Sequence, residues 1–256
     1  MRTFITNGKK KTGIKLWSVL FWLAVWQLAS MIIGQKILLA SPVSAVAKLL
    51  DLCRELDFWR TIGFSLGRIG LGFFLALIIG VGLAVLSSMV TLIRDLLRPL
   101  LAAVKAVPVA SFIILCLVWI PSRNLSVFIS FLTVLPIIYT NTLEGILNMD
   151  KGLAELCKVF QISRGKRIIY IYTSQVLPFL RSACSISLGI CWKAGIAAEV
   201  IGAPKGAIGE KLYYTKIYLD MPALFAWTLV IVIISILFEK IIISGIEYFI
   251  YRMEHQ

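Results

Sequence analysis

Of the ionisable side chains inside the long apolar stretches of the sequence, four are candidates for a functional role: Arg68, Lys105, Lys193 and Glu199. An ionisable group at membrane depth is costly and usually faces a cavity or a partner group. Lys193 and Glu199 are six residues apart, so they lie on different faces of a helix and are not an obvious intrahelical pair. For each of the four, a structural role as a helix anchor is favoured over a direct part in a translocation path, and both interpretations stay open.

Residues typical of metal binding, nucleotide hydrolysis or covalent catalysis are scarce. The only histidine is His255. The five cysteines have no C-x-x-C spacing, and they are therefore predicted to be small buried apolar residues: Cys53, Cys116, Cys157, Cys184 and Cys191. Neither G-x-x-x-x-G-K-[ST] nor G-x-S-x-G occurs, although a phosphate-binding loop and a serine nucleophile elbow need those spacings. The sequence therefore predicts no metal site, no cofactor and no ATP hydrolysis by this chain itself.

The composition indicates what kind of protein holds these charges. Hydrophobic residues make up 59% of the 256 residues and charged residues 15%, whereas soluble domains are about half apolar and a quarter charged. A membrane-spanning helix needs roughly 20 apolar residues. The chain is therefore predicted to be an all-α membrane protein with about six transmembrane helices in one bundle.

Six apolar runs are long enough to form these helices: 16–34, 62–89, 96–120, 125–146, 179–203 and 223–249. The first run is longer than the apolar core of a signal peptide, about 7 to 15 residues, which favours a retained span. Residues 41–59 carry charges among leucines and valines, which predicts a short external amphipathic helix beginning at Ser41-Pro42. We accordingly divide the chain into 1–60, with the N-terminal tail, the first span and this helix, and a core at 61–256.

Basic residues indicate the orientation of the spans. Two clusters share one side if the spans alternate: Lys9, Lys10, Lys11 and Lys15 before the first span, and Lys151, Lys158, Arg164, Lys166 and Arg167 after the fourth. The positive-inside rule places that side, and both termini, in the cytoplasm. The opposite side also carries lysines, which weakens the bias: Lys36, Lys205, Lys211 and Lys216. The net charge of +13 then reflects topology and attraction to the lipid bilayer, and no nucleic-acid partner is predicted.

Small residues recur every four positions in the second run, at Gly72, Ala76, Gly80 and Ala84. Such a face lets another backbone approach closely. Packing within one bundle is the favoured interpretation, ahead of a dedicated dimer seam. The second span is therefore predicted to have a close helical neighbour.

One long polar segment, about residues 148–178, interrupts the apolar second half of the chain. It predicts a short amphipathic helix, with an apolar stripe at i, i+3, i+4 and i+7 made by Leu153, Leu156, Cys157 and Phe160 and a charged face made by Lys151, Glu155 and Lys158. Residues 162–165 break this helix, and Ser163 fits the N-cap of a second helix that runs from Lys166 towards Pro178. A solvated surface loop is the simpler alternative, but the stripe favours a docking element for a cytoplasmic partner.

This segment resembles the cytoplasmic coupling loop of ABC importer permease subunits, specifically the nitrate, sulfonate, taurine and bicarbonate type. That loop has the form E-A-A-x-x-x-G-A-S, followed by L-P-A-A-L-P. Glu155 takes the glutamate, Ser163 the serine and Leu177-Pro178 the last L-P. The departures are Leu156 and Cys157 for the two alanines, Gln161 for the glycine, and Thr173-Ser174 for the first L-P.

The resemblance continues in order from about residue 40 to the end of the chain. The matching stretches are Ser65-Leu66-Gly67-Arg68 with Gly72-Phe73 for S-L-x-R-x-x-x-G-F, Val107-Pro108 for a proline position near the third span, and Ala198-Glu199 with Gly206 and Gly209 for A-E-x-x-x-x-x-x-G-L-G. Two positions depart from the pattern: Ile114 stands where a second proline is usual, and Trp119-Ile120-Pro121 where W-F-G is usual.

The resemblance implies a type I ABC importer permease in a prokaryotic plasma membrane, importing a small solute such as an oxyanion or a sulfonate. It implies two permease copies, taken as a homodimer, that dock on separate ATPase subunits and receive solute from an extracytoplasmic binding protein. The implied coupling residues are Lys151, Leu153, Glu155, Leu156, Cys157, Lys158, Phe160, Gln161, Ser163, Leu177 and Pro178. The implied pathway or gate residues are Arg68, Pro108, Trp119, Glu199, Gly206 and Gly209.

A self-sufficient secondary transporter or channel is the alternative from another class. It predicts inverted internal repeats and spans broken near the membrane midplane. The sequence shows no convincing repeat, although Pro108, Pro121 and Pro136 can interrupt helices. An intramembrane enzyme would need a nucleophile with its base, or a metal set, within the spans, and the apolar runs carry neither.

Overall fold

The computed structural model describes residues 16–35, 37–150, 152 and 173–254, and every regular element within them is a helix. The helices in chain order are α1 (Leu16–Ile33), α2 (Pro42–Leu52), α3 (Leu56–Met89), α4 (Thr91–Ala106), α5 (Val109–Cys116), α6 (Ser122–Leu147), α7 (Thr173–Gly202), α8 (Ile208–Ile217) and α9 (Met221–Glu254). The all-α prediction is confirmed.

Four of the described helices are long and apolar enough to cross a membrane, namely α3, α6, α7 from Gln175 and α9 as far as Tyr248. The bent pair α4 and α5 raises the number to five, and α1 is a shorter apolar helix. Each of the six predicted apolar runs is therefore largely helical, which is consistent with about six spans.

Two predicted boundaries were wrong. The run 96–120 is not one continuous span, because α4 and α5 meet at 103°. Pro108 has no N–H group and holds the preceding Val107 in an extended conformation, at φ −73° and ψ 130°. The external helix predicted over 41–59 already ends at Leu52, and α3 begins at Leu56. Its predicted start is confirmed, since the Ser44 N–H donates a 3.2 Å hydrogen bond to Ser41 Oγ.

The centre of the bundle is formed by α3, α6 and α7. The predicted small-residue face of α3 is buried against α6, which confirms packing within one bundle. A Cβ atom on Gly72 would lie 2.5 Å from Val127 O and 2.8 Å from Ser130 Cβ, both on α6. Large side chains fill the space around this contact, among them Ile69, Phe73 and Trp192.

The bundle has two distinct ends. At one, which we call the α8 end, Gly202 at the end of α7 lies beside Ser122 at the start of α6, and α8 joins α3 through the Lys211–Asp57 ion pair of 2.6 Å. At the other, which we call the loop end, Gly145 of α6 lies against Phe179 of α7. The end of α6 and the start of α7 therefore lie at the opposite end of the bundle from α8.

We expect Gly72→Ala to lower the free energy of unfolding by about 1–3 kcal/mol, because the new methyl group would overlap the backbone of α6. Gly82→Ala is the matched control on the same helix, since nothing lies within 4 Å of a Cβ atom there. Thermal unfolding of both variants in detergent measures the difference. Equal stability of the two variants would contradict the close approach of α3 and α6.

Candidate functional site

The carboxylate of Glu199 lies fully buried in the last turn of α7. Its Oε2 atom accepts a 2.7 Å hydrogen bond from Ser65 Oγ on α3. The same atom accepts a 3.3 Å hydrogen bond from the Gly209 N–H in the first turn of α8. One buried side chain therefore joins three helices at the α8 end.

The first turn of α8 obtains its hydrogen-bond acceptors from other helices. The N-cap, Ala207, has no side-chain acceptor, so the first N–H groups of α8 need partners elsewhere. Ser65 Oγ accepts from the Ile208 N–H at 2.9 Å, and Glu199 accepts from Gly209. The negative charge of a carboxylate also suits the partial positive charge of a helix N-terminus. Both effects fix the start of α8 against α3 and α7.

Two glycines make this contact possible. A Cβ atom on Gly209 would overlap the backbone carbon and Cβ of Glu199. Gly206 has φ +82°, a left-handed conformation that glycine adopts without steric strain. Its N–H donates to Glu210 Oε2 at 2.6 Å, which closes the turn into α8. Three of the six predicted pathway or gate residues, Glu199, Gly206 and Gly209, are thus brought together.

Arg68 lies one turn beyond Ser65 on α3 and is half-buried. Its Nη1 atom donates a 3.5 Å hydrogen bond to Asn124 Oδ1 at the start of α6. Its guanidinium carbon lies 4.4 Å from the centre of the Phe64 ring, a favourable cation–π distance. Arg68 therefore bridges α3 and α6 close to the Glu199 contact.

Pro108 and Trp119 lie at the two ends of the α5 region. Pro108 is the exposed N-cap of α5, at the bend from α4. Trp119 is 73% exposed in the turn between α5 and α6. The core side of α5 packs on α6 and α7 through Ile113 and Cys116. Neither Pro108 nor Trp119 is among the hydrogen-bond partners of Glu199, which are Ser65 and Gly209.

A shallow cavity of about 240 Å³ opens at the α8 end between α2, α3, α8 and α9. Aromatic side chains contribute much of its wall, and ion pairs join its helices: Lys48–Asp220 at 3.5 Å and Lys211–Asp57 at 2.6 Å. Both pairs are well exposed to solvent, so each contributes at most about 1 kcal/mol. The cavity gives the α8 end a concave surface with charges of both signs.

Most of the predicted coupling loop lies outside the described residues: Lys151, Leu153, Glu155, Leu156, Cys157, Lys158, Phe160, Gln161 and Ser163. Leu177 and Pro178 lie within the first turns of α7, with Leu177 buried and Pro178 exposed. The predicted limit of the loop at 178 is thus later than the start of α7 at Thr173. The Asp150 N–H donates a 3.0 Å hydrogen bond to Gln175 Oε1, so the base of the loop is tied to α7.

Ser65 was not among the predicted site residues. A serine three residues before Arg68 in an apolar run was the available signal. The backbone N–H of Ile208 has no signal in the sequence, because every non-proline residue carries one. Lys105, weighed as an intramembrane charge, is exposed in the last turn of α4.

The fold and this contact define a multi-pass helical membrane protein whose helix ends are held together by buried polar groups. Residues 64–255 match the binding-protein-dependent transport system inner membrane components. Because this match spans well over half of the chain, the protein belongs to that family. It is a permease subunit of a bacterial inner-membrane transport system and not an enzyme, since ATPase activity in such systems lies in a separate subunit.

The names of individual relatives match the permease type that the sequence resembles. The chain is 26% identical over 222 residues to the bicarbonate transport system permease protein CmpB of Synechococcus elongatus, covering 76% of this chain and 78% of the relative. It is 23% identical over 220 residues to the taurine transport system permease protein TauC of Escherichia coli, covering 84% and 80%. It is 26% identical over 169 residues to the nitrate import permease protein NrtB of Leptolyngbya laminosa, covering 63% and 57%. The predicted ABC importer permease type is confirmed.

We expect Ser65→Ala to loosen the first turn of α8, because the change leaves both the Ile208 N–H and Glu199 without the Ser65 hydroxyl. Loss of a buried hydrogen-bond partner costs about 1–3 kcal/mol. Amide hydrogen exchange of residues 207–211 should therefore accelerate, while exchange in the middle of α9 stays unchanged.

Ser185→Ala is the matched control, because Ser185 Oγ also donates to a glutamate, Glu239, but in an exposed contact. Its effect on stability should stay within about 0.5 kcal/mol. If both variants left exchange in α8 unchanged, the Ser65–Glu199 contact would not hold the start of α8.

Proposed function

We propose that this chain is the transmembrane subunit of an ATP-driven importer of a small solute, an oxyanion, a sulfonate or a related molecule. The main support is the family match, which runs through the polar segment at about 148–178 and both helices that flank it. The relatives are named for bicarbonate, taurine and nitrate, all of them small. In this proposal a separate ATPase subunit hydrolyses ATP.

Coupling would begin at the loop. The charged and apolar faces around Glu155 would dock in a groove on the ATPase subunit, with Ser163 and Gln161 at the break that follows. The base of the loop is tied to α7 through Asp150 and Gln175. Because α7 has 30 residues, it is about 45 Å long and would carry a movement of the loop to Glu199 at the other end.

The α8 end would form the gate of the solute path. Glu199, Gly206 and Gly209 would hold α8 in place, and Arg68 would keep α3 and α6 in register beside them. Pro108 and Trp119 would act at the α4–α5 bend and the following turn, near the departures at Ile114 and Pro121. Opening would exchange one set of packed contacts for another, with ATP binding favouring one of two states.

The proposed assembly contains two copies of this chain as a homodimer, two ATPase subunits and an extracytoplasmic binding protein. The positive-inside rule puts the loop end and both termini in the cytoplasm. The α8 end then faces outward, where its concave surface between α2 and α9 would meet the binding protein. Residues 1–60 would form an N-terminal unit beside the 61–256 core.

A self-sufficient transporter is the second candidate, and one observation favours it. The α4–α5 pair is bent by 103°, and broken spans are common where secondary transporters bind their solutes. The two candidates differ in a simple way, because only the secondary transporter moves solute without an ATPase. Family membership favours the importer.

We expect Glu155→Lys to abolish co-purification of an ATPase with the tagged chain in mild detergent, because it reverses a charge on the docking face. Glu55→Lys is the control, an identical change of charge at the exposed N-cap of α3, at the α8 end. Mass spectrometry of the co-purified proteins and the amount of each variant in the membrane provide the measurement.

Unchanged ATPase recovery with Glu155→Lys would remove the coupling role of that residue. A parent chain that purifies alone, and that moves solute alone in liposomes, would refute the importer and support the second candidate.

A further inference from the structure

Lys193 lies near the middle of a membrane-spanning helix. It is nine residues before Gly202, the last residue of α7, and twelve residues after Arg181. At 1.5 Å per residue these separations are about 14 and 18 Å. Paired charges lie near both ends of this interval, with Arg181–Glu247 towards the loop end and Lys211–Asp57 at the α8 end. Lys193 is therefore within the apolar layer that these charges bound.

Two other candidate charges, Glu199 and Arg68, lie nearer the α8 end and have partners inside the protein. Glu199 accepts hydrogen bonds from Ser65 and Gly209, and Arg68 reaches Asn124 and Phe64. Lys193 belongs to none of the ion pairs among the described residues, which are Lys48–Asp220, Arg54–Asp51, Arg181–Glu247 and Lys211–Asp57. The side-chain hydrogen bonds of α7 among the described residues belong to other positions, namely Gln175, Arg181, Ser185, Ser187, Cys191 and Glu199.

The side chain of Lys193 is on the outer surface of the bundle. Its neighbours in the chain, Trp192 and Ala194, are both buried in the core. Lys193 itself is exposed, on one helix face with the exposed residues Ile186 and Ile190. The lysine is thus the charged group on an otherwise apolar strip of α7 that no described helix covers.

The direction of α7 inclines the Lys193 side chain away from the nearer membrane surface. Side chains on a helix incline towards its N-terminus. On α3, which begins at the α8 end, this inclination lets Arg68 reach outward to Asn124. On the antiparallel α7 the same inclination directs Lys193 away from the nearer end and towards the middle of the membrane. A lysine held there is costly against lipid and needs water or an anion.

We propose that Lys193 lines the solute path and supplies the positive charge that an anionic solute meets midway through the membrane. This inference rests on the proposed function and adds a specificity-determining residue to it. The exposed strip of α7 then faces the water-filled space of the assembled importer and not lipid. The ammonium group stabilises a carboxylate, sulfonate or inorganic oxyanion in passage, and the apolar neighbours Ile186 and Ile190 keep that contact weak enough for release.

Accessibility to water tests the position of Lys193 without knowledge of the solute. Lys193→Cys in the assembled importer is treated with a membrane-impermeant sulfonatoethyl methanethiosulfonate, and the parent chain corrects for its own cysteines. Ile233→Cys is the matched control, because Ile233 is exposed on α9 twelve residues from Met221. Lys193→Cys should react at least about tenfold faster, since water reaches a path and not a lipid-facing helix. Equally slow reaction would overturn the inference.

Uptake tests the charge, with bicarbonate, nitrate and taurine as trial solutes. Lys193→Gln should lower uptake about tenfold or more, because losing one partner of a buried charge contact weakens binding by at least that factor. Lys193→Arg should retain most of the uptake. Lys240→Gln, which removes the same charge from an exposed position on α9, is the control and should leave uptake unchanged. Aminoethyl modification of Lys193→Cys should restore uptake, because it returns a positive charge.

Uptake by Lys193→Gln equal to that of the parent would overturn the charge role. Loss of the second copy or of the ATPase in this variant would also overturn it, because Lys193 would then pair with an acid between subunits. The importer itself is tested separately, by ATPase recovery with the unmodified chain. A failure of one experiment therefore leaves the other interpretable.

Discussion

The structure depends on hydrogen-bond partners that the protein itself supplies, because the hydrocarbon layer of a membrane contains no water. In the hydrocarbon layer backbone polar groups need partners within the protein, and Ser65 and Glu199 provide them for the first N–H groups of α8. The Glu199 carboxylate binds a hydroxyl on α3 and an N–H group on α8. A soluble protein could leave the start of α8 to water. Here the helix start is fixed by side chains from its neighbours, so the position of α8 follows the positions of α3 and α7.

Hydrogen bonds at both ends of α7 connect the two ends of the bundle. Near its beginning Gln175 binds the base of the loop, and in its last turn Glu199 binds α8. Between these ends α7 packs against α6 and α3, and the glycine contacts of α3 leave little room for one helix to slide on another. Close-packed interfaces move between discrete arrangements more readily than they deform continuously. A bundle of this kind is suited to switching between two states.

The charged residues of the spans differ in whether they have a partner inside the chain. Glu199 and Arg68 have internal partners and stabilise the α8 end. Lys193 is exposed near the middle of α7 and is in none of the ion pairs among the described residues. The proposed role of the exposed strip of α7 therefore depends on the assembled importer and not on the single chain.

The sequence by itself determined the all-α membrane class, the apolar runs, the small-residue face of α3 and the family. Each of these is a local pattern of composition or spacing, and local periodicity is set by the geometry of a single helix. The bend at Pro108 was available as a signal, but the sequence alone did not show that α4 and α5 would separate there. Tertiary structure decided which groups meet. Ser65 and Glu199 are 134 positions apart, and the Ile208 N–H is a backbone group that every residue type shares. Whether a charge is buried with a partner or left on the surface depends on how helices pack around it, and therefore only the folded bundle distinguished Glu199 from Lys193.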